Sequence, residues 1–171
     1  MFQLIFRIFA FSHGGIYMDI NAKAGRYERI YYQLKGLFKE DFTPVARMAT
    51  ITALLHHKMK GFFWTGFYLL DNDKLIVGPY QGPLACIRLE DKNTGVCWMA
   101  INSGKPVVVP DVHKFPGHIA CDSRSNSEVV VPLRSRMGDI TGVIDVDSRE
   151  YDMFDDDDAR GLEKIISLVY E

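Results

Sequence analysis

Three cysteines, at positions 86, 97 and 121, stand 11 and 24 residues apart in a chain of 171. A free thiol is commonly a small buried hydrophobe, and for Cys86 and Cys97 that reading weighs as much as a chemical one. Cys121 differs. It follows Gly117-His118-Ile119-Ala120 within residues 110–126, a stretch that has no helical or strand periodicity. A loop of that length inside a compact domain is usually functional, and loops are rarely stocked with thiols for packing. A neighbouring imidazole or turn amides would bring a thiol from about 8.5 toward neutrality, and the thiolate is the reactive species. Cys121, in the 111–128 loop, is therefore the expected nucleophile of a thiol-redox enzyme, with His118 the nearest imidazole in sequence.

Metal ligation is the competing reading. Cys86, Cys97, His118 and Cys121 are all residue types that zinc accepts. Zinc sites bring ligands in close pairs, however, and only His118-x-x-Cys121 resembles one. No metal is expected, and a zinc-bound structural module stays as an alternative.

A second constellation is acidic. Glu128 opens one β-rich run, and Asp145 and Asp147 close the next. Residues two apart on a strand face the same side, so the two aspartates point together. If the turn between the runs makes a hairpin, Glu128 lies opposite them. Solvated strand ends are the bland reading. Buried together, such carboxyls would raise at least one pKa toward neutrality and supply a general acid. Trp64 and Tyr68, four apart on one strand pattern, share a face. Aromatics on a strand are usually core, and these matter only if that face closes over a pocket.

The elements that must position these groups follow from the pattern. Apolar positions predict a helix over 21–38, and Thr43-Pro44 caps a second running to about Lys58. Strands are expected over 61–70, 74–80 and 85–89, with the first two joined through Asp71-Asn72-Asp73. A short helix over 94–103 stops at Gly104, and 107–109 is a short strand. Residues 128–134 and 140–147 read as a hairpin through Met137-Gly138-Asp139. An amphipathic helix ends the chain, and the acidic run 155–158 is read as its cap rather than as a metal site. Strands joined mostly by hairpins imply an α+β domain, a central antiparallel sheet with helices packed on it.

Composition narrows the class. Hydrophobic residues make up 47% and charged residues 25%, which is globular rather than disordered. A net charge of -2 leaves no basic footprint for nucleic acid. An odd number of cysteines in a chain of this size fits thiols kept reduced in the cytoplasm. Residues 1–11 are apolar but too few to span a bilayer, and no cleavage site follows them. Residues 1–17 are therefore expected to be an extension or to precede the true start at Met18, with the domain occupying 18–171.

Taken together, Trp64-Thr-Gly-Phe-Tyr68, Gly78-Pro-Tyr-Gln-Gly82, Ala85-Cys86, Gly95-Val-Cys97, Pro110-Asp-Val-His113, Phe115-Pro-Gly-His-Ile-Ala-Cys-Asp122, Ser127-Glu-Val-Val-Val-Pro132 and Gly142-Val-Ile-Asp-Val-Asp147 resemble the free methionine-(R)-sulfoxide reductases, a group built on the GAF fold. The resemblance implies a single GAF domain whose cavity accepts free methionine sulfoxide. By position, Cys121 matches the nucleophile, Cys86 the resolving cysteine and Cys97 a third cysteine with a secondary role in recycling. Trp64 and Tyr68 match aromatic pocket residues, Gln81 a weaker pocket position, and Glu128, Asp145 and Asp147 the acids around the substrate.

The same resemblance implies no metal or organic cofactor. The external reductant is thioredoxin, served by an NADPH-dependent reductase, and a homodimer is compatible with the family. The segment 90–98 departs from the pattern by one extra residue, with Trp98 in place of a small one. A GAF domain that senses a small ligand without chemistry is the other alternative.

Overall fold

The computed structural model describes residues 17–39, 41–119 and 121–171. The expected extension at residues 1–17 lies outside them except for Tyr17, which opens the first helix. That helix, α1 (Tyr17–Leu37), turns Tyr27, Ile30 and Leu34 inward. Helix α2 (Pro44–Lys58) starts where the sequence predicts, with Thr43 Oγ1 accepting from the Ala46 amide and Pro44 in the first turn. Strands β1 (Trp64–Asp71) and β2 (Lys74–Gln81) meet in a two-residue turn. Asn72 and Asp73 both take positive φ there, the backbone that the right-handed twist of a hairpin demands.

Strand β3 is only Arg88–Leu89, shorter than the expected 85–89. Its missing residues are held otherwise: Tyr68 Oη donates to the Cys86 carbonyl at 3.0 Å, and Cys86 is bonded covalently to Cys121. Helix α3 (Val96–Ser103) follows, stopped by Gly104 in the left-handed conformation. Strands β4 (Val107–Val109), β5 (Ser127–Arg134) and β6 (Ile140–Ser148) and helix α4 (Asp156–Ile166) complete the order. The acidic run does cap α4: Asp155 accepts from the amides of Asp157 and Asp158, and the Asp158 carboxylate accepts from the Asp155 amide. Asp158 is also bonded by Lys23 and Tyr27, which ties α1 to α4.

The six strands form one antiparallel sheet in the order β3-β2-β1-β6-β5-β4. This is the α+β arrangement that the hairpin pattern implies. Alternation then gives the sheet two unlike faces. Phe67, Val129, Val131, Leu133, Ile144 and Val146 point to α1, α2 and α4 and form the larger core. Trp64, Tyr68, Val130 and Val143 point the other way, toward α3 and the irregular segments. Phe67 is fully buried, and truncating it to alanine would cost about 3–5 kcal/mol.

The long segment between β4 and β5 is not structureless. Val112–Lys114 makes one 3-10 turn capped by Asp111. Its return is fixed at Asn126, whose carbonyl accepts from the Val112 amide and whose amide donates to the Ser148 carbonyl. Among the described residues no helix is long and apolar enough to cross a membrane.

Candidate active site

The smaller face of the sheet carries the chemistry. Asp145 and Asp147 on β6 pair with Val130 and Glu128 on β5, and on the other side with Gly66 and Trp64 on β1. All three carboxyls therefore leave the sheet on one side, as the hairpin argument requires. Glu128 and Asp145 are buried and Asp147 is half-buried. Helix α3 lowers its first turn onto them, and Cys97 Sγ donates to Asp145 Oδ2 at 3.7 Å. From the 110–126 segment, His118 brings Nε2 to 3.5 Å from Glu128 Oε2. The segment is held there because the Gly95 amide at the start of α3 donates to the Gly117 carbonyl at 2.8 Å.

Cys86 and Cys121 close the cavity. They form a disulfide with a Cα–Cα distance of 5.3 Å across 35 residues of chain. This bond clasps the 82–87 segment to the 115–126 segment over the acids. Cys121 is exposed, whereas Cys97 is buried and free.

Burial sets the protonation states. It pushes the Glu128 carboxyl well above the usual range, and the charge of Asp147 adds to the rise. Asp145 rises for the same reason, helped by Asp147 and Glu128. Asp147 is pushed up to about 6 by burial. The Cys97 thiol is driven up by burial first and then by Asp145 and Glu128, so it stays a thiol. His118 is lowered by burial, and that shift and the rise of Glu128 both disfavour an ion pair between them. Burial thus holds the Glu128 and Asp145 protons more tightly than free carboxyls would, and a proton so retained can be donated to a bound oxygen.

The aromatic wall is a stack. Trp64 stacks with Tyr68, at 5.7 Å between ring centroids, and with Tyr80, at 5.4 Å. Gly66 leaves room for it: a Cβ there would come within 2.5 Å of Trp64 Cη2 and collide with Tyr80 Cβ. Gly82 does the same from β2's end, where a Cβ would meet Trp64 Cδ1 at 2.8 Å. Trp64 Nε1 and Asp145 Oδ1 are buried without a hydrogen-bond partner among the described residues. Buried polar atoms normally have one, so both point to a ligand.

Eight of the nine residues singled out from the sequence are thus brought together, and Gln81 is not. It stands exposed at the end of β2. The pairing of β1 with β2 steps from Gly66↔Tyr80 to Tyr68↔Val77, one residue more on β2 than on β1. That bulge shifts the alternation, so Tyr80 meets the indole and Gln81 turns outward. Trp98, buried at α3, donates its Nε1 to the Leu89 carbonyl at 3.1 Å. The sequence reading overlooked Gly66. A glycine inside a strand signals a close approach, and here the approach is that of the indole.

Residues 47–169 match the GAF domain family. The chain is 44% identical over 149 residues to GAF domain-containing protein A of Dictyostelium discoideum, spanning 86% of this chain and 92% of that protein. It is 42% identical over 125 residues to the free methionine-R-sulfoxide reductase of Escherichia coli, spanning 73% and 74%. The solved structure of free methionine-R-sulfoxide reductase from Neisseria meningitidis, in complex with its substrate, superposes with a TM-score of 0.80 at 42% identity. That superposition covers 86% of this chain and 87% of the other. The chain belongs to the GAF-domain family that includes the free methionine-R-sulfoxide reductases.

Proposed function

We propose that this protein is an oxidoreductase that reduces free L-methionine-(R)-sulfoxide to methionine. The observation that carries the proposal is a redox-capable cysteine pair, Cys86 and Cys121, roofing a cavity whose floor is three protonatable carboxyls. In the reduced enzyme Cys121 attacks the sulfoxide sulfur. The oxygen accepts a proton from one of Glu128, Asp145 and Asp147 as its bond to the substrate sulfur weakens. The oxygen passes from the substrate sulfur to the Cys121 sulfur as the bond between the two sulfurs breaks, so methionine leaves and Cys121 carries a sulfenic acid. Cys86 then attacks that sulfur, water departs, and the disulfide forms. An external dithiol, thioredoxin, restores both thiols by exchange. Trp64 packs against the methyl–sulfur end, where partial positive charge favours an aromatic face.

One observation favours a second assignment within this reaction. Cys97, not Cys121, touches the acids. Its raised thiol pKa argues against it as the attacking thiolate and for a role as donor or secondary thiol in recycling. The experiment is single-turnover release of methionine from the R epimer of free methionine sulfoxide by reduced protein. Cys121→Ser is expected to abolish release while Cys97→Ser retains it. Release that survives in Cys121→Ser and disappears in Cys97→Ser transfers the nucleophile to Cys97. Release that survives in both removes Cys121 and Cys97 as nucleophiles, and absence of release by the reduced parent ends the reductase reading.

A further inference from the structure

We propose that Cys97, Glu128 and Asp145 form an exchangeable binding site for one thiophilic divalent cation of the zinc class, occupied when the cavity holds no substrate. One ligand atom from each lies within 4.8 Å of the others. Cys97 Sγ and Asp145 Oδ2 are 3.7 Å apart. The sulfur–oxygen edge of a tetrahedron built on zinc's usual bond lengths is about 3.6 Å. The pair is thus spaced for the ion before anything moves.

A separate observation calls for a ligand. Asp145 lines the cavity, and its Oδ1 is buried with no hydrogen-bond partner among the described residues. Trp64 Nε1 is likewise unpartnered, but as a donor it asks for an acceptor on the substrate and not for a cation.

The donor set selects the ion. One thiolate with two carboxylates suits zinc, whereas magnesium and calcium take oxygen alone. The three ligands come from α3, β5 and β6, so one tetrahedral position is left facing the cavity. Such an open site exchanges its ion and competes with substrate. Binding displaces the thiol proton and the carboxyl protons into solvent. Cys97 takes no part in the Cys86–Cys121 bond, so the site exists in both redox states.

The inference shares the cavity with the reductase reading but is tested by binding, without turnover. The full chain carrying Cys86→Ser and Cys121→Ser is titrated with zinc chloride against a chromophoric chelator. One equivalent is expected, bound at least about tenfold more weakly when Cys97→Ser or Asp145→Asn is added. Unchanged affinity in both variants overturns the site, as does zinc binding that is lost with Cys86 and Cys121. Cobalt loading of the parent gives a second measurement if a variant fails to fold. A thiolate-to-cobalt absorption in the near ultraviolet supports Cys97 ligation, and its absence overturns it. Free methionine sulfoxide should weaken zinc binding; failure of that arm alone counts against the substrate and leaves the metal site standing.

Discussion

Glu128 and Asp147 are direct partners across the β5–β6 ladder, so two carboxyls share neighbouring positions on one enclosed face. Burial raises both, Asp147 to about 6, and the Asp147 charge beside it pushes Glu128 further, so Glu128 holds its proton more tightly than a free carboxyl. In the proposed reduction, Glu128 would supply from the sheet itself the proton that the departing oxygen needs.

Glu128→Gln tests that supply. The amide keeps the shape and some hydrogen bonding but has no acidic proton to give. The rate of methionine release is expected to fall about 100-fold or more, with the same number of titratable thiols. An unchanged single-turnover rate would remove Glu128 from the acid role.

Asp147 makes a pH signature. Its pKa of about 6 in the folded protein exceeds the ordinary 3.8, so the folded state holds its proton more tightly than the unfolded chain. Stability from this group is therefore intact below the ordinary value, declines between there and about 6, and stays reduced above. At roughly 1.4 kcal/mol per pH unit the loss reaches up to about 3 kcal/mol. Asp147→Asn should therefore be more stable than the parent at pH 7.5 and nearly equal to it at pH 4. Urea unfolding of both proteins at the two values reads this directly, and a gap that widens toward low pH contradicts it.

Gly66→Ala addresses the aromatic wall. The added methyl would meet Trp64 Cη2 at 2.5 Å, and the indole is stacked with both Tyr68 and Tyr80. Displacing it costs about 1–3 kcal/mol of stability. The Michaelis constant for the sulfoxide should rise several-fold, because the ring no longer sits where the methyl–sulfur end would pack. Steady-state kinetics and a melting curve check both, and a Tm and Michaelis constant like the parent's would mean the indole has room to spare.

Much of this was legible in the residue pattern because the controlling physics is local. The Thr43-Pro44 cap, the Asn72-Asp73 turn and the Asp155 capping box each declare themselves within four residues. The acidic cluster was legible for the same reason: period two on β6 and one hairpin suffice to place Glu128 beside Asp147. What depends on distant chain was not. The bulge that turns Gln81 outward lies in the pairing of two strands. The approach of His118 to Glu128 depends on the bond between Gly95 and Gly117 and on the disulfide that clasps the same segment. The shortening of β3 reflects a covalent bond from Cys86 to a residue 35 positions away.

Cys86→Ser separates chemistry from recycling. Cys86 sits in the 82–87 segment, anchored by Tyr68 through its own carbonyl, so its thiol can be removed while the acids and the aromatic stack keep their supports. Reduced Cys86→Ser should release about one methionine per chain at a rate near the parent's, leaving Cys121 as a sulfenic acid that a dimedone-type reagent traps. With thioredoxin as sole reductant, turnover should then stop. If it continues, the partner thiol must be Cys97, which would have to leave its contact with Asp145 and cross the cavity to reach Cys121. In that event the double variant Cys86→Ser/Cys97→Ser stalls after one turnover while each single variant recycles.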